Sequence, residues 1–272
     1  MEIAGQKFGG DWTVVKLDKV EEYLAAYTTA LKRKKFNLCY IDAFAGNGAV
    51  QLNDLESTDG SALRALKYPF DKYYYYDKSA INCRKLEALC KQFPEKDTNV
   101  VCCNSNEVLQ DINSINWYAN RWRGVVFLDP YAMDLFWDSL ECIARTRAFD
   151  VWYLFPLSAL VRNLRRDGQI DEATRDTLTR FLGTNTWFDD LYKFNPQMSF
   201  FDDTEDYFRI GIEGVIGYVL NRLSTLFTVS KDYLILRNSK ESPLFLLCFM
   251  ISNQNTAAID LSMRIAGHIL TH

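Results

Sequence analysis

The chain of 272 residues carries 31 Lys and Arg side chains against 35 Asp and Glu side chains, which gives a formal net charge of −4. Apolar residues make up 48% and charged residues 24%, with 13 Gly and 6 Pro, and this balance excludes disordered and collagen-like chains. The net charge also excludes a basic coat over the whole surface, although a local basic patch is compatible with it.

The first half of the sequence alternates predicted helices and strands. Apolar positions three and four residues apart predict a helix over residues 11–35. The basic run from Lys32 to Lys35 lies at the end of this helix, where it is either a solvent-exposed helix cap or a phosphate-binding patch. A strand begins at residue 38 and enters a glycine-containing turn that ends at residue 48, and a loop covers residues 51–60. Ser61 is placed to cap the next helix. The remaining predicted helices cover residues 61–66, 80–93, 107–115 and 137–145, and the strands cover residues 72–76, 99–103, 124–128 and 150–155.

The second half departs from this rhythm. Residues 157–205 form a predicted insertion or lid, with a polar helix over residues 171–182 and an aromatic stretch around Trp187. A long helix is predicted over residues 206–226 and a last one over residues 256–269. The strands at residues 233–237 and 244–251 are joined by a short connection, which makes them an antiparallel pair.

The alternation of helices with continuously apolar strands predicts the fold class. Such strands are typical of a parallel sheet that helices cover on both faces. We therefore predict an α/β, Rossmann-like fold: a mostly parallel seven-stranded sheet with an antiparallel C-terminal strand pair, plus a helical and aromatic insertion. Residues 1–272 are predicted to form a single domain.

Polar residues follow four successive predicted strands. Ligands of open α/β sheets bind beyond the carboxyl ends of the strands, so these residues are expected to meet at one edge. They are the turn Asp42, Ala43, Phe44, Ala45, Gly46, Asn47 and Gly48, then Asp77, then Asn104, Ser105 and Asn106, and finally Asp129, Pro130 and Tyr131.

The type of turn after the first strand narrows the class of ligand. The sequence contains neither the phosphate-binding G-x-x-x-x-G-K-[ST] pattern nor G-x-G-x-x-G after this strand, which disfavours a nucleoside triphosphate or a dinucleotide. Asp42 is placed to hold an amino group, Asp77 to accept hydrogen bonds from ribose hydroxyls, and Asn104 to pair with adenine. An amino acid, a ribose and an adenine together make S-adenosylmethionine. The predicted cofactor site comprises Asp42, Ala43, Phe44, Gly46, Gly48, Asp77, Asn104 and Ser105, with Gly60 and Ser61 at its rim.

The segment Asp129, Pro130 and Tyr131 is the predicted catalytic group. It resembles the D/N-P-P-Y/F motif of methyltransferases that modify exocyclic amines of bases, and also the single-proline form of the tRNA guanine-N2 dimethyltransferases. In that arrangement the carboxylate orients an NH2 group and the aromatic ring stacks on an unstacked base. The alternative interpretation is a tight turn that opens the next helix.

Segments along nearly the whole chain resemble the three-Cys-motif partner protein family. The matching segments are Trp12 with Thr13, YIDAFAGNG at residues 40–48, GSALRAL at 60–66, NEVL at 106–109, FLDPY at 127–131, WYLFPL at 152–157, LRN at 236–238 and SPLF at 242–245. This chain has Asn104 where the family commonly has Asp, Asp77 where it often has Glu, and Ala132 where it often has Gly.

The resemblance implies a Rossmann-like methyltransferase fold and leaves the acceptor open. We predict a methyltransferase that acts on a nucleobase amine of RNA or DNA. The alternatives are a methyltransferase that acts on a protein or small molecule, and a non-catalytic partner of a three-Cys, radical-SAM-like protein. In the last case the aromatic insertion would be the docking surface.

The sequence also indicates where the protein is found and which sites it lacks. No apolar run approaches the length of a membrane span, and the N-terminus lacks the pattern of a signal peptide, so we expect a cytoplasmic protein without membrane contact. Seven cysteines without a C-x-x-C pair and only two histidines predict reduced thiols and no metal site.

Overall fold

The computed structural model describes residues 11–51, 57–194 and 207–272. The helices are α1 (Asp11–Leu31), α2 (Ser61–Ala65), α3 (Ala80–Cys90), α4 (Ser105–Gln110), α5 (Trp137–Thr146), α6 (Leu157–Asn163), α7 (Glu172–Leu182), α8 (Trp187–Leu191), α9 (Ile212–Ser224) and α10 (Thr256–Thr271). The strands are β1 (Asn37–Asp42), β2 (Ala49–Gln51), β3 (Ser57–Asp59), β4 (Lys72–Asp77), β5 (Thr98–Cys102), β6 (Trp122–Leu128), β7 (Phe149–Phe155), β8 (Tyr192–Phe194), β9 (Tyr207–Arg209), β10 (Thr228–Arg237) and β11 (Pro243–Ile251).

Seven strands form the central sheet in the order β5-β4-β1-β6-β7-β11-β10. The five strands from β5 to β7 are parallel, β11 is antiparallel to β7, and β10 is antiparallel to β11. This confirms the predicted fold class. The strand order reverses next to β1, since β4 lies on one side of it and β6 on the other, and such a reversal is where open α/β sheets bind ligands.

Helices cover both faces of the sheet. Every residue of β7 is buried, as the apolar run from Val151 to Phe155 predicts. One face packs against α1, α2, α3 and α10 through residues such as Leu24, Leu86 and Ala266. The other face packs against α4 to α7 and α9 through residues such as Leu140 and Val219. The sheet is therefore buried on both faces, and its strand ends remain for ligands.

Two predicted elements take a different form. The predicted helix over residues 206–226 is wrong at its start, because β9 pairs there with β8 and Gly211, with extended backbone, precedes α9. The predicted loop over residues 51–60 contains strand β3, which pairs with β2. In both places the backbone N–H and C=O groups form hydrogen bonds between two short antiparallel strands, and not within a helix or to solvent.

The described part of the predicted insertion packs into the main core. Phe181, Trp187 and Leu191 are buried in the same cluster as the sheet residues of that face. The Arg222 guanidinium of α9 lies 4.4 Å from the Trp137 ring centroid and donates to the Leu182 carbonyl. Residues 195–205 of the predicted insertion lie outside the described residues, and the assignment of a lid stays a prediction.

Two further observations concern the membrane and the thiols. Within the described ranges, no helix combines the length and apolarity needed to cross a membrane. All seven cysteines lie in these ranges as free thiols, and Cys39, Cys83, Cys90 and Cys248 are buried.

Candidate functional site

Two cavities open at the carboxyl ends of the parallel strands. The first, of about 480 Å³, is called the Asp77 cavity and is lined by Phe44, Asp77, Lys78, Ser79, Asn82, Asn104, Ser105, Asn106, Asp129, Tyr131, Asp134 and Phe136. The second, of about 460 Å³, is called the Lys16 cavity, and its lining includes Trp12, Thr13, Lys16, Phe44, Gly46, Gly48, Gly60, Ser61, Asp129, Pro130, Tyr131, Ser158, Arg162 and Phe245. Both volumes fall in the range of small-molecule sites.

The two cavities meet at a shared wall. Phe44, Asp129 and Tyr131 line both of them. Phe44 comes from the turn after β1, whereas Asp129 and Tyr131 follow β6, the next strand in the sheet. A molecule in one cavity and a molecule in the other would therefore come closest at these three residues.

The turn after β1 is shaped by two glycines with left-handed backbone. Gly46 has a φ of +62° and Gly48 a φ of +83°, and a Cβ at Gly48 would come within 3.1 Å of the Leu89 side chain. The Gly46 N–H donates to Asp77 Oδ2 at 3.0 Å. Glycine is the residue that adopts such a turn without strain, so the sequence at this point sets the shape of the cavity floor.

Asp77 joins the turn to the next strand end. Besides the Gly46 N–H, its carboxylate accepts hydrogen bonds from the Ser79 N–H at 2.7 Å and from Asn82 Nδ2 at 3.1 Å. A carboxylate offers about four lone-pair sites, so these three bonds fix its orientation and leave room for one more donor.

Asn104 and Ser105 start α4 at the far side of the Asp77 cavity. Asn104 caps the helix, since its Oδ1 accepts from the Asn106 N–H at 3.1 Å, and its side-chain NH2 donates to no other described residue. Ser105 is buried and donates its hydroxyl hydrogen to the Ala43 carbonyl. The helix thus starts at Ser105, two residues earlier than predicted, because Asn104 is its cap.

Asp42 and Ala43 lie behind the cavity wall, in contrast to their predicted position facing the ligand. Both are 0% exposed. The Asp42 carboxylate accepts from the Tyr40 hydroxyl at 3.3 Å and from the Phe44 N–H at 3.4 Å. Ser61 also donates to it, so Ser61 supports the turn and does not cap α2 as predicted.

Burial raises the pKa of Asp42 to about 7. The hydrogen bond from Ser61 lowers this pKa, and the nearby charge of Asp129 raises it. Asp42 is therefore a buried carboxyl group that supports the turn from below, and it gains or loses its proton near neutral pH.

Asp129 forms an ion pair that the sequence analysis missed. Its Oδ2 pairs with the ammonium group of Lys16 on α1, 113 positions earlier in the chain. The Lys16 side chain is 8% exposed and that of Asp129 is 25% exposed. The ammonium group also lies 5.2 Å from the Trp12 ring centroid. A polar residue beside the apolar stripe of a helix gives no signal of such a partner.

The Lys16 cavity also contains an unpaired hydroxyl. Thr13, one turn before Lys16, is 3% exposed, and its Oγ1 has no hydrogen-bond partner among the described residues. Arg162 lines the same cavity and forms no salt bridge within the described chain. Unpaired buried polar atoms are uncommon in native proteins, so this end of the cavity is suited to a polar group of a ligand.

The segment after Asp129 exposes its aromatic ring. Pro130 lines the Lys16 cavity, and Tyr131 is 59% exposed. Ala132 has a φ of +49°, the left-handed conformation that glycine adopts without cost, at a position where the resembled family often has Gly. Lys78 and Asp134 form an exposed ion pair of 2.8 Å at the Asp77 cavity.

No cation site is found near these carboxylates. Among residues 11–51, 57–194 and 207–272, no three His, Cys, Asp or Glu side chains come together in a way that could hold a metal ion.

No protein-family model matches the chain, and no curated protein matches it. A Legionella pneumophila protein has a similar structure, with a TM-score of 0.49 and 13% identity over 96% of this chain and 93% of that one. Trm1 from Pyrococcus horikoshii, solved with S-adenosyl-L-methionine, has a TM-score of 0.45 and 10% identity over 99% of this chain and 60% of that one. A Streptococcus mutans protein solved with SAH has a TM-score of 0.41 and 13% identity over 87% and 97%. The candidate function therefore depends on the geometry of the strand ends.

Proposed function

We propose that this protein is an S-adenosylmethionine-dependent methyltransferase. The observation that carries the proposal is the pair of cavities at the switch point of the sheet, which meet at Phe44, Asp129 and Tyr131. A group transfer between two bound molecules needs two sites with a common boundary, and this arrangement provides them.

The residues of the Asp77 cavity fit the adenosyl part of such a cofactor. Asp77 would accept a hydrogen bond from a ribose hydroxyl at its remaining lone-pair site, and the free NH2 group of Asn104 would donate to a purine ring nitrogen. The backbone of Gly46 and Gly48 would hold the amino-acid end. When bound, S-adenosylmethionine supplies an electrophilic methyl group.

Asp129 would orient the acceptor. Its Oδ2 is occupied by Lys16, whereas its Oδ1 takes no hydrogen bond from another described residue. Oδ1 would accept an N–H of an incoming amine, which points the nitrogen lone pair away from the carboxylate. The lone pair of an exocyclic nucleobase amine is delocalised into the ring, so Asp129 would both position the nitrogen and accept the proton that the nitrogen loses on methylation.

The charge of the site favours a neutral amine as the acceptor. Lys16 neutralises the charge of Asp129, so Asp129 would attract a cationic amine such as a lysine side chain only weakly. The Lys16 ammonium group would also repel such an amine. An exocyclic amine of a nucleobase is neutral, and the exposed Tyr131 ring beside Asp129 could stack on the base. We therefore propose a nucleobase amine of RNA or DNA as the acceptor.

The proposal is tested by following labelled methyl from S-adenosylmethionine into separated tRNA, rRNA, DNA and protein fractions of a cell extract. The Asp129→Ala protein is the blank. Label in a nucleic-acid fraction that disappears with the variant is expected, and label only in protein would contradict the nucleobase acceptor. No label, despite measured cofactor binding, would favour a non-catalytic partner of a three-Cys protein.

Two variants of Tyr131 refine the test. Tyr131→Ala should weaken acceptor binding by roughly 1–3 kcal/mol, the contribution of one base stacked on an aromatic ring. Tyr131→Phe keeps the ring and should transfer methyl at nearly the wild-type rate. Equal losses in both variants would mean that the hydroxyl group, and not stacking, is what matters.

A further inference from the structure

The opposite, amino-terminal edge of the sheet carries a cluster of cations that the proposed methyl transfer does not use. We call it the basic edge, and it comprises Lys32, Arg33, Lys34, Lys35, Arg121, Arg123, Arg145 and Arg147. They lie in the segment between α1 and β1, at the start of β6 and at the end of α5. All except the half-buried Arg123 are exposed. Among the described residues, only Arg145 of this set forms a salt bridge, with Glu141 at 2.8 Å.

Aromatic rings hold the arginines of this edge. The Arg123 guanidinium lies 4.0 Å from the Tyr118 ring centroid and 4.7 Å from that of Phe36. It also donates to the Trp122 carbonyl at 2.6 Å. Arg121 lies over the same Phe36 ring, at 5.7 Å. A guanidinium held between rings and a carbonyl is pre-organised, so it loses less entropy when it binds an anion.

Two hollows run between these cations. The first, of about 330 Å³, is lined by Lys34, Phe36, Tyr118 and Arg123 among others, and the second, of about 610 Å³, by Tyr118, Arg145 and Arg147. They share Tyr118 and Asn255, so they form one continuous surface. The one acidic residue that lines them is Asp150, which is 5% exposed and accepts hydrogen bonds from Tyr23 and Ser262.

Two of the arginines occupy positions where the backbone favours glycine. Arg121 has a φ of +60°, and Arg147, the C-cap of α5, has a φ of +55°. A left-handed conformation strains a residue that has a Cβ atom, whereas Gly adopts it freely. The chain therefore has an arginine at two backbone positions where Gly would be more stable. Such local strain often accompanies function.

We propose that the basic edge binds the phosphate backbone of a single-stranded nucleic acid, with the exposed Tyr118 ring stacking on a base. Unpaired cations, hollows lined by Asn116 and Asn255, and an aromatic ring within the patch match the phosphates and bases of such a strand. An anionic lipid surface would match the charge alone. The inference is independent of the proposed methyl transfer, because this edge lies a strand length, roughly 20 Å, from the two cavities.

The test is fluorescence anisotropy with a labelled single-stranded U20 RNA over a range of salt concentrations. Seven unpaired cations that each meet a phosphate predict a log–log salt slope of about −5, at about 0.7 per contact. The variant Arg121→Gly/Arg147→Gly removes two contacts and relieves backbone strain at both positions. Its slope should be near −3.5, and its affinity at 0.1 M salt about 25-fold lower by the same counterion release.

Because the glycine substitutions relieve strain, the unfolding midpoint of the double variant should equal or exceed that of the wild type, which separates weaker binding from loss of folding. The matched control is Lys193→Gln/Lys240→Gln, which removes two exposed cations elsewhere and should bind RNA like the wild type. Wild-type affinity in the glycine variant, or stronger binding to vesicles with anionic lipid than to RNA, would overturn the inference. Titration of S-adenosylhomocysteine into the same variant should be unchanged.

Discussion

The two edges of the central sheet differ in how their charged side chains are paired. At the carboxyl edge most charges have a partner within the protein: Lys16 pairs with Asp129, Lys78 with Asp134, and Asp77 accepts three hydrogen bonds. Arg162 is the exception, since it forms no salt bridge within the described chain. Of the eight cations of the basic edge, Arg145 alone forms a salt bridge among the described residues. The same strands thus present a locally neutral edge and a positive edge, although the whole chain has a net charge of −4.

This difference separates two kinds of recognition. Paired charges in cavities act over short distances and select the shape and hydrogen bonding of a small group. Unpaired surface cations create a field that extends for about a Debye length and attracts a polyanion with little regard to sequence. The proposed chemistry belongs to the carboxyl edge, and the proposed nucleic-acid contact belongs to the amino edge.

The largest expected effect comes from breaking the neutrality of the carboxyl edge at Asp129. Asp129→Ala should lower methyl transfer at least about a hundredfold, since the acceptor is no longer oriented. It also leaves the buried Lys16 ammonium group unpaired, which should cost about 3 kcal/mol of unfolding free energy, at the lower end of the range for buried pairs because Asp129 is partly exposed.

The double variant Asp129→Ala/Lys16→Met separates the two effects. It should regain most of the lost stability in urea denaturation and none of the activity. If the single variant were as stable as the wild type, the ion pair would have no role in holding α1 against the site.

Asp77→Ala tests the other carboxylate of that edge. The variant loses the hydrogen bond to the cofactor and the bond that holds the Gly46 N–H, so affinity for S-adenosylhomocysteine should fall by about 1.5–3 kcal/mol. Titration calorimetry measures this change. The control is Asp138→Asn, which removes an exposed carboxylate of α5 that lines neither cavity and should alter affinity little. A similar loss in both would make the effect one of overall charge.

Asp42→Asn tests whether the buried carboxyl group behind the cavity wall makes stability depend on pH. Because its pKa is about 7 in the folded chain and near 4 when unfolded, the folded state holds the extra proton between these values. Through Asp42, wild-type stability should therefore fall by about 2.5 kcal/mol as the pH rises from 5 to 8. The variant should lose that part of the slope and keep the smaller contribution of Asp150, whose pKa burial raises to about 6. An unchanged slope in chemical denaturation would place the titration elsewhere.

The smallest expected effect is that of Ala132→Gly. The substitution relieves the left-handed φ of +49° and increases the freedom of the unfolded chain, which leaves a net gain of about 0.5–1 kcal/mol. A thermal unfolding scan should show a small rise in Tm. A loss of stability would mean that the Ala132 methyl group makes contacts that outweigh the strain.

The sequence was sufficient to predict the sheet and the position of most candidate site residues. Apolar runs such as Val151 to Phe155 of β7 predict burial on both faces, and the carboxyl ends of parallel strands must share an edge. Phe44, Asp77, Asn104, Asp129 and Tyr131 do line cavities at that edge, as the pattern predicted.

The missing parts depend on contacts between distant segments. Lys16 lies beside the apolar stripe of α1 and meets Asp129 only after the chain has folded, so its spacing carries no signal. The depth of Asp42 depends on Tyr40, Phe44 and Ser61 closing over it. Strands β8 and β9 have three residues each, which is too short for a periodic pattern.

The central claim is that the Asp77 cavity binds the adenosyl group of the methyl donor, and titration calorimetry of the wild-type protein with S-adenosylhomocysteine tests it most directly. The account predicts a single site with micromolar affinity, about −8 kcal/mol, and a rise in Tm with ligand. No heat and no thermal shift at millimolar ligand would contradict the proposed methyltransferase activity, whatever the basic edge binds.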